Sequence, residues 1–228
     1  MRILVTAGPT REFFDTVRFI SNPSSGKMGY ALAEAAVRRG HDVVLVSGPV
    51  ALEPPKGARL IRVVTAAQMA AACKKVWPSC DAAMMTAAVC DYRPKVRLDH
   101  KLAKTRAARH VTLVPTEDIA STLGRRKNSR VLVGFAQEDH DHRAHAEAKL
   151  RRKRCDAIVL NGPENVGSDR ATVEILTADG AWSAPLAGSK RRVAEHVVGL
   201  VERLAGARGR PVRSGRTAAG RPRRSPVR

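Results

Sequence analysis

Short apolar runs alternate with amphipathic helical patterns along most of the chain, and this alternation constrains the fold more than any other feature. Six runs have the length of strands and little polar alternation, which is typical of strands covered on both faces. They span residues 3–7, 42–47, 60–64, 82–87, 131–135 and 157–160. Between them the residue spacing predicts helices over 27–39, 66–76, 117–123 and 144–154. The order of elements predicts an α/β fold with a doubly wound, mostly parallel, Rossmann-like sheet.

The pattern changes after Asn161. Residues 172–177, the dipeptide Asp179-Gly180 and the segment near Trp182 predict a small C-terminal hairpin that turns at Asp-Gly. A last amphipathic helix is predicted over 190–204. Within the earlier helices, Thr116 is the predicted N-cap of the 117–123 helix, because its hydroxyl could accept a bond from a first-turn amide.

Basic residues are concentrated at the end of the chain. The formal net charge is +20, and residues 205–228 hold eight arginines and no acidic residue. Such a Gly-, Pro- and Arg-rich stretch is typical of disorder. We therefore expect one domain over residues 1–204 and a disordered Arg-rich tail over 205–228, which offers nonspecific contact with nucleic acid. The body stays basic without the tail, which suits a site for phosphorylated substrates.

Cellular location is constrained by three features. No apolar stretch approaches the length of a membrane span. The first residues read directly as a strand, with no signal-peptide pattern. The four cysteines form no C-x-x-C pair or zinc spacing. These features predict a cytoplasmic protein with reduced thiols and no membrane contact.

The loop before the first helix is rich in small residues but matches neither common nucleotide motif. A Walker A motif needs Gly five residues before Gly26 and Ser or Thr after Lys27, whereas the chain has Ser21 and Met28. The dinucleotide fingerprint needs three glycines at the first turn, and only Gly8 is present there. A loop of this kind still suits an anion, because helix N-terminal amides have no partner within the helix.

Four polar clusters follow predicted strands, at the edge where parallel sheets bind ligands. They cover residues 18–26, 86–93, 134–138 and 160–161. Phe135 offers a ring for a base to stack on, and Asp91 could accept from a ribose or an exocyclic amine. Lys101 and Lys104 lie in a polar loop suited to folding over a triphosphate. The run 138–142 with His145 resembles a metal cluster, although a polar helix entry is the simpler interpretation.

Three segments in order resemble the phosphopantothenate–cysteine ligase family, also called phosphopantothenoylcysteine synthetase. They are G-x-T-R-E with R-F-I-x-N-x-S-S-G-K-M-G over 8–29, A-A-V-x-D-Y-R over 87–93 and G-F-A-x-E over 134–138. The resemblance covers residues 3–204. In many bacteria this unit is the C-terminal half of a bifunctional protein with a flavin decarboxylase, and this chain looks monofunctional because it begins at the ligase.

The resemblance implies a two-step reaction. The carboxylate of 4′-phosphopantothenate attacks the α-phosphate of CTP, giving an acyl-cytidylate and pyrophosphate, and the amine of L-cysteine then displaces CMP. The resemblance also implies a homodimer, and Mg²⁺ bridged by the nucleotide phosphates with no ligand set from the protein alone. Family members differ between CTP and ATP, and the A-A-V-x-D-Y-R segment with the lysine helix favours CTP.

Site residues follow from the matched positions. The resemblance makes Asn22 the contact to the activated acyl group, Arg18 its partner, and Lys101 the lysine that reaches the triphosphate. A phosphate is expected at Ser24, Ser25 and Gly26. The expected nucleotide-binding residues are Met85, Thr86, Ala87, Asp91, Lys101, Asp118, Ile119, Ala120, Phe135, Lys149 and Lys153.

Two segments depart from the family pattern. The flap reads Lys101-Leu102-Ala103-Lys104 in place of K-x-K-K, which removes one charge. The N-P-D-I turn appears as Thr116-Glu117-Asp118-Ile119, which affects the expected nucleotide contacts there. Two rival functions remain open at this stage: a divergent NAD(P)-binding reductase, suggested by fold class alone, and a basic nucleic-acid-binding protein, suggested by the charge.

Overall fold

The computed structural model describes residues 1–208 and has the predicted α/β architecture. The strands are Arg2–Ala7 (β1), Arg11–Phe13 (β2), Phe19–Ser21 (β3), Asp42–Ser47 (β4), Ala58–Arg62 (β5), Ala82–Met85 (β6), Tyr92–Pro94 (β7), Leu113–Pro115 (β8), Val131–Gln137 (β9), Ala157–Asn161 (β10), Arg170–Thr177 (β11) and Leu186–Ser189 (β12). The α-helices are Lys27–Arg38 (α1), Ala66–Val76 (α2), Ile119–Arg125 (α3), His142–Lys153 (α4) and Lys190–Gly206 (α5). Short 3₁₀ turns cover Trp77–Ser79 and Pro163–Asn165.

One eight-stranded sheet organises the molecule, in the order β12-β11-β10-β9-β6-β1-β4-β5. The six strands from β10 to β5 are parallel, and β11 and β12 add an antiparallel edge. The predicted hairpin is therefore part of the main sheet, and Gly180 makes its turn at a φ of 86°. Turns of this kind favour glycine because other side chains avoid positive φ.

Two apolar clusters cover the two faces of the sheet. One joins α1 and α5 to the sheet through side chains such as Leu32, Val197 and Val201. The other joins α2, α3 and α4 through Met69, Leu123 and Leu150. Residues alternate between the two clusters along β1, where Ile3 and Val5 face the first and Leu4 the second. Burial on both faces explains why these strands read as continuous apolar runs.

Some predicted boundaries are wrong for physical reasons. The third helix begins at Ile119, and its N-cap is Asp118, whose carboxylate accepts the Ser121 amide at 2.9 Å. Thr116, predicted as the cap, instead donates from its hydroxyl to the Cys90 carbonyl at 2.6 Å. Asp and Thr are both good caps, so the sequence could not choose between them.

Other differences lie at the start of the tail and in two small ribbons. Helix α5 continues through Gly206, and Arg208 pairs with the buried Asp156, so residues 205–208 belong to the fold. The rest of the predicted disordered tail lies outside the described residues. The antiparallel ribbons β2-β3 and β7-β8 were not predicted, because three-residue strands leave no periodic signal. Within residues 1–208, no helix combines the length and apolar character needed to cross a bilayer.

Candidate functional site

A cleft of about 480 Å³ opens at the carboxyl ends of the parallel strands. It lies above β1 and β6, which are neighbours in the sheet, where the chain changes from one face to the other. Ligands of doubly wound folds bind at such a crossover because the connecting loops diverge there and leave a crevice. The tertiary structure thus gathers the four polar clusters of the sequence at one edge.

The loop before α1 forms one wall of the cleft. Gly26 is the N-cap of α1 at a φ of 75°, no side chain among residues 1–208 caps the helix, and its first turn carries no acidic residue. The amides of a first helical turn have no acceptor within the helix, and the helix dipole makes that end positive. Ser24, Ser25 and Gly26 therefore line a region suited to a phosphate group.

Gly29 brings α1 into close contact with the sheet and the opposite wall. A Cβ at this position would lie 2.5 Å from the Ala7 Cβ and 2.7 Å from the Thr86 Oγ1, which is closer than real Cβ contacts. Only glycine fits here, so close packing against Ala7 and Thr86 explains the final G of the S-S-G-K-M-G segment. The start of α1 is held directly beside the loop that follows β6.

That loop is a wall of small residues fixed by polar contacts to β1. The Thr86 hydroxyl donates to the Thr6 carbonyl at 2.5 Å, and the Thr6 hydroxyl accepts the Ala87 amide at 3.2 Å. Across the cleft mouth, the Asn22 side-chain amide donates to the Ala88 carbonyl at 3.1 Å. These bonds hold the two loops together, and Ala87 and Ala88 line the cleft between them with small side chains.

The start of α3 and the face of α4 form the remaining wall. Lys153 lies 3.3 Å from the Asp118 carboxylate, and Lys149 donates to Glu138 at 2.5 Å. Phe135 reaches the cleft from β9, where its ring packs with the cluster on the α1 and α5 face. The ring and the two lysines thus approach the cleft from opposite faces of the sheet, an arrangement that the sequence did not show.

Most of the predicted site residues line this one cleft. They are Asn22, Ser24, Ser25, Gly26, Met85, Thr86, Ala87, Asp91, Asp118, Ile119, Ala120, Phe135, Lys149 and Lys153. This placement shows that they share a site, and their individual roles remain predictions.

Arg18 and Lys101 do not line the cleft. The Arg18 guanidinium donates to the Asp15 carboxylate and to the Leu102 carbonyl, each at 3.1 Å. Among residues 1–208, Arg18 pairs with Asp15 and holds the segment that carries the exposed Lys101, and its predicted role beside Asn22 stays a prediction. Burial raises the pKa of Asp15, but bonds from the backbone amides of Arg18, Val17 and Leu102 bring it below its usual value.

Lys190 is a cleft residue that sequence reasoning missed. It is the first residue of α5, is only 9% exposed, and donates from Nζ to the Asn165 carbonyl at 3.0 Å. The cleft is also lined by Asn165, by Lys27 and by Gly167, whose carbonyl accepts from the Lys27 Nζ. A lysine at the polar start of an amphipathic helix predicts a solvated side chain, so the sequence gave no signal of its burial.

The histidine cluster lies outside the cleft. His140, Asp141 and His145 bring their ligand atoms within 4.8 Å of one another at the exposed start of α4. His145 also lies 3.3 Å from Glu138. The polar helix entry predicted for this run is present, because α4 begins at His142.

Comparison with known proteins gives a consistent family relationship. The family model described as DNA/pantothenate metabolism flavoprotein C-terminal domain matches residues 1–204. The Coenzyme A biosynthesis bifunctional protein CoaBC of Bacillus subtilis is 46% identical over 183 residues, covering 78% of this chain and 45% of that protein. The protein of the same name from Mycobacterium bovis is 42% identical over 224 residues, covering 90% of this chain and 53% of that protein.

A solved structure supports the same relationship. The crystal structure of the C-terminal domain of a CoaBC protein superposes with a TM-score of 0.78 at 39% identity, covering 90% of this chain and 96% of that one. The chain spans about half the length of the curated relatives it matches.

Proposed function

Because the chain belongs to the family of DNA/pantothenate metabolism flavoprotein C-terminal domains, we propose that it joins 4′-phosphopantothenate to L-cysteine at the expense of CTP. The observation that carries this proposal is the single cleft in which the Asn22 loop, the uncapped start of α1, Phe135 and the α4 lysines converge. A nucleotide-dependent acid–amine ligase needs one site that binds an acyl carboxylate, a phosphate and a nucleotide base together.

The first step requires two anions to approach each other. The carboxylate of 4′-phosphopantothenate attacks the α-phosphate of CTP, and pyrophosphate leaves. Charge on the reacting oxygens is best stabilised by donors already fixed in place. Lys149, Lys153 and the first-turn amides of α1 supply positive charge and donors around the cleft. Asn22, held against the Ala88 carbonyl, is placed to orient the acyl group.

The second step uses the same geometry. The amine of cysteine attacks the acyl carbon of the acyl-cytidylate, and CMP leaves as the amide forms. Small side chains at Ala87 and Ala88 leave room for the amine to approach the acyl group. Because the Asn22 loop and the residues after β6 are tied together, the acyl group can stay in place between the two steps.

CTP and Mg²⁺ are both part of the proposal. CTP is favoured over ATP by the A-A-V-x-D-Y-R segment and the lysines of α4. Mg²⁺ prefers oxygen ligands and usually binds nucleotide phosphates together with one or two carboxylates. Asp118 already caps α3 and pairs with Lys153. The Asp91 carboxylate, by contrast, makes no hydrogen bond or ion pair with any of residues 1–208, and Asp91 lines the cleft. This donor set fits a cation held mainly by the nucleotide, with Asp91 as the available carboxylate.

A homodimer is proposed on a separate observation. Large apolar side chains are exposed on and beside the two ribbons, where Phe19, Tyr92 and Leu113 are 40%, 55% and 44% exposed. The two ribbons contact each other through β2 and β7, so these exposed side chains lie on neighbouring elements. Large apolar side chains exposed on neighbouring elements favour a protein–protein interface there. Light scattering should give twice the chain mass, and Tyr92→Lys with Leu113→Lys should yield a monomer.

A cytoplasmic location is supported by the four cysteines, all free and buried.

Nonspecific nucleic-acid contact is proposed for the Arg-rich segment that begins at Arg208. Deleting residues 209–228 should leave ligase activity intact and remove any salt-sensitive binding to RNA.

The test of the ligase is pyrophosphate release from purified protein with 4′-phosphopantothenate, cysteine, Mg²⁺, and either CTP or ATP. Release that depends on the acid and prefers CTP would support the full proposal. Preference for ATP would keep the reaction and overturn the choice of nucleotide. If neither nucleotide gives release, the ligase proposal is wrong, and a nicotinamide cofactor should then be tested by thermal stabilisation.

A further inference from the structure

The cleft contains a buried cation that the proposed reaction has not yet used. Lys190 is only 9% exposed, and among residues 1–208 the one acceptor of its Nζ is the Asn165 carbonyl at 3.0 Å. Within residues 1–208 no carboxylate lies within ion-pair distance of it. An ammonium group has three donors, and burying it without a charged partner is costly.

A second lysine lies close by and increases that cost. Lys27 lies in the first turn of α1, where its Nζ contacts Asp169 at 2.6 Å and the Gly167 carbonyl at 3.0 Å. Burial lowers the pKa of Lys190, and the positive charge of Lys27 lowers it further, while Asp169 acts in the opposite direction. Asp169 therefore pairs with Lys27, and Lys190 beside it is left without an ion-pair partner among residues 1–208.

A purely structural role accounts poorly for this arrangement. Holding the Asn165 carbonyl needs only a neutral donor, and Asn165 is already fixed by two bonds with the backbone of Thr172, at 3.0 and 3.1 Å. Natural proteins rarely bury an unpaired lysine for one neutral hydrogen bond. The uncapped start of α1 adds unpaired amides at the same wall of the cleft. Buried positive charge and unpaired donors facing one cavity are the features of an anion site.

We propose that Lys190, together with Lys27 and the first-turn amides of α1, receives a phosphate group of a bound substrate. The inference rests on the proposed function for the identity of the substrates, because two of them carry suitable groups. The phosphate is either the terminal phosphate of 4′-phosphopantothenate or the β- and γ-phosphates of the nucleotide. In both cases Lys190 determines specificity, because it raises the affinity for a phosphorylated ligand relative to its counterpart that lacks that phosphate.

Binding measured by titration calorimetry separates the two sources. Four probes are used with the full chain: CTP and CMP with Mg²⁺, and 4′-phosphopantothenate and pantothenate. Lys190→Met keeps the aliphatic stem and removes the charge, and Lys190→Arg restores a charge. Arg191→Met is the matched control, since Arg191 is the next residue of α5, is exposed and does not line the cleft. Lys27→Met serves as a second variant if Lys190→Met does not fold.

The expected result is a selective loss of about ten- to a hundredfold in affinity for one phosphorylated probe. Loss for CTP with CMP unchanged would assign the nucleotide phosphates, and loss for 4′-phosphopantothenate with pantothenate unchanged would assign the acid substrate. Lys190→Arg should recover part of the loss, and Arg191→Met should behave as wild type.

Equal losses for the members of each pair, or no loss for any probe, would overturn the inference, because Lys190 would then act only on the fold. If the wild-type chain binds none of the four probes, the inference is also wrong. Selective binding without pyrophosphate release would keep this anion site and refute only the ligase.

Discussion

The side-chain amide of Asn22 donates to the Ala88 carbonyl at 3.1 Å, joining the loop before α1 to the loop after β6 across the mouth of the cleft. The two residues are far apart in sequence and belong to two different motifs. Their contact fixes the orientation of an exposed side chain, so the Asn22 amide is presented to a ligand in a defined direction. This geometry supports the role proposed for Asn22.

Asn22→Ala should lower the turnover number for pyrophosphate release by about 10²–10³-fold, the usual cost of removing one fixed polar group from a reacting centre. Because Asn22 is exposed, the melting temperature should change little. Asn128→Gly is the control, since Asn128 is an exposed turn residue at a φ of 49° that does not line the cleft. Wild-type turnover in Asn22→Ala would refute the assigned role.

Phe135→Leu should weaken CTP binding by removing the ring while keeping an apolar side chain in the α1 and α5 cluster. Stacking of a base on an aromatic ring contributes about 1–3 kcal/mol, so the dissociation constant should rise roughly five- to a hundredfold. Phe19→Leu, at an exposed ring outside the cleft, should bind CTP as wild type does. Calorimetry with CTP measures both, and unchanged affinity in Phe135→Leu would exclude stacking.

Gly29→Ala should destabilise the fold, because its Cβ would meet Ala7 and Thr86 at less than 3 Å. We expect the free energy of unfolding to fall by about 1–3 kcal/mol, as for overpacked core sites. Gly199→Ala is the matched helical control, since among residues 1–208 its Cβ would meet only the Arg203 side chain, at 3.6 Å. That variant should gain up to about 1 kcal/mol from helix propensity. Urea denaturation compares the two, and equal stability in both variants would contradict the packing argument.

Stability should fall between neutral and mildly acidic pH because of His41. Burial, the largest cause, lowers the pKa of His41 although the bond to Glu202 at 2.9 Å acts in the opposite direction. The unfolded chain takes up this proton near pH 6.5, roughly the ordinary histidine pKa, and the folded chain only at lower pH. The contribution is therefore complete above that pH and is lost as the pH falls.

Urea titrations from about pH 8 to about pH 5 measure this loss as a decrease in the free energy of unfolding. His41→Gln should reduce the pH dependence, whereas His196→Gln, at an exposed position on α5, should retain it. An identical pH dependence in His41→Gln and the wild type would show that other groups cause the loss.

The native thiols should be unreactive at neutral pH. Burial raises the pKa of Cys73 and Cys155 to about 12 and that of Cys80 to about 11, and it also raises the pKa of Cys90. Only the thiolate is an effective nucleophile, so the folded chain offers very little of it. Ellman's reagent should label the native protein very slowly and all four cysteines after denaturation. Rapid labelling of the native chain would contradict this burial.

Elements with a long apolar or periodic pattern were predictable. Three-residue strands, and a helix start with two candidate N-caps, were not. The strand Asp42–Ser47 and the helix Ala66–Val76 have the predicted bounds, because their burial or periodicity leaves a long pattern in the sequence. The start of α3 was misplaced because Thr116 and Asp118 both favour an N-cap. The choice between them was made by the bond from Thr116 to the Cys90 carbonyl, which is a tertiary contact.

The sequence by itself determined the fold class, the order of the main strands along the chain and a set of site residues most of which line the cleft, because strand burial and the loop motifs are local patterns. Only the tertiary structure decided which charges act together. Arg18 pairs with Asp15, and Lys190 is buried beside Lys27. Phe135 and Lys149 approach the cleft from opposite faces of the sheet. The reason is that desolvation and charge pairing depend on which distant segments pack against a side chain, and residue type and spacing do not encode that.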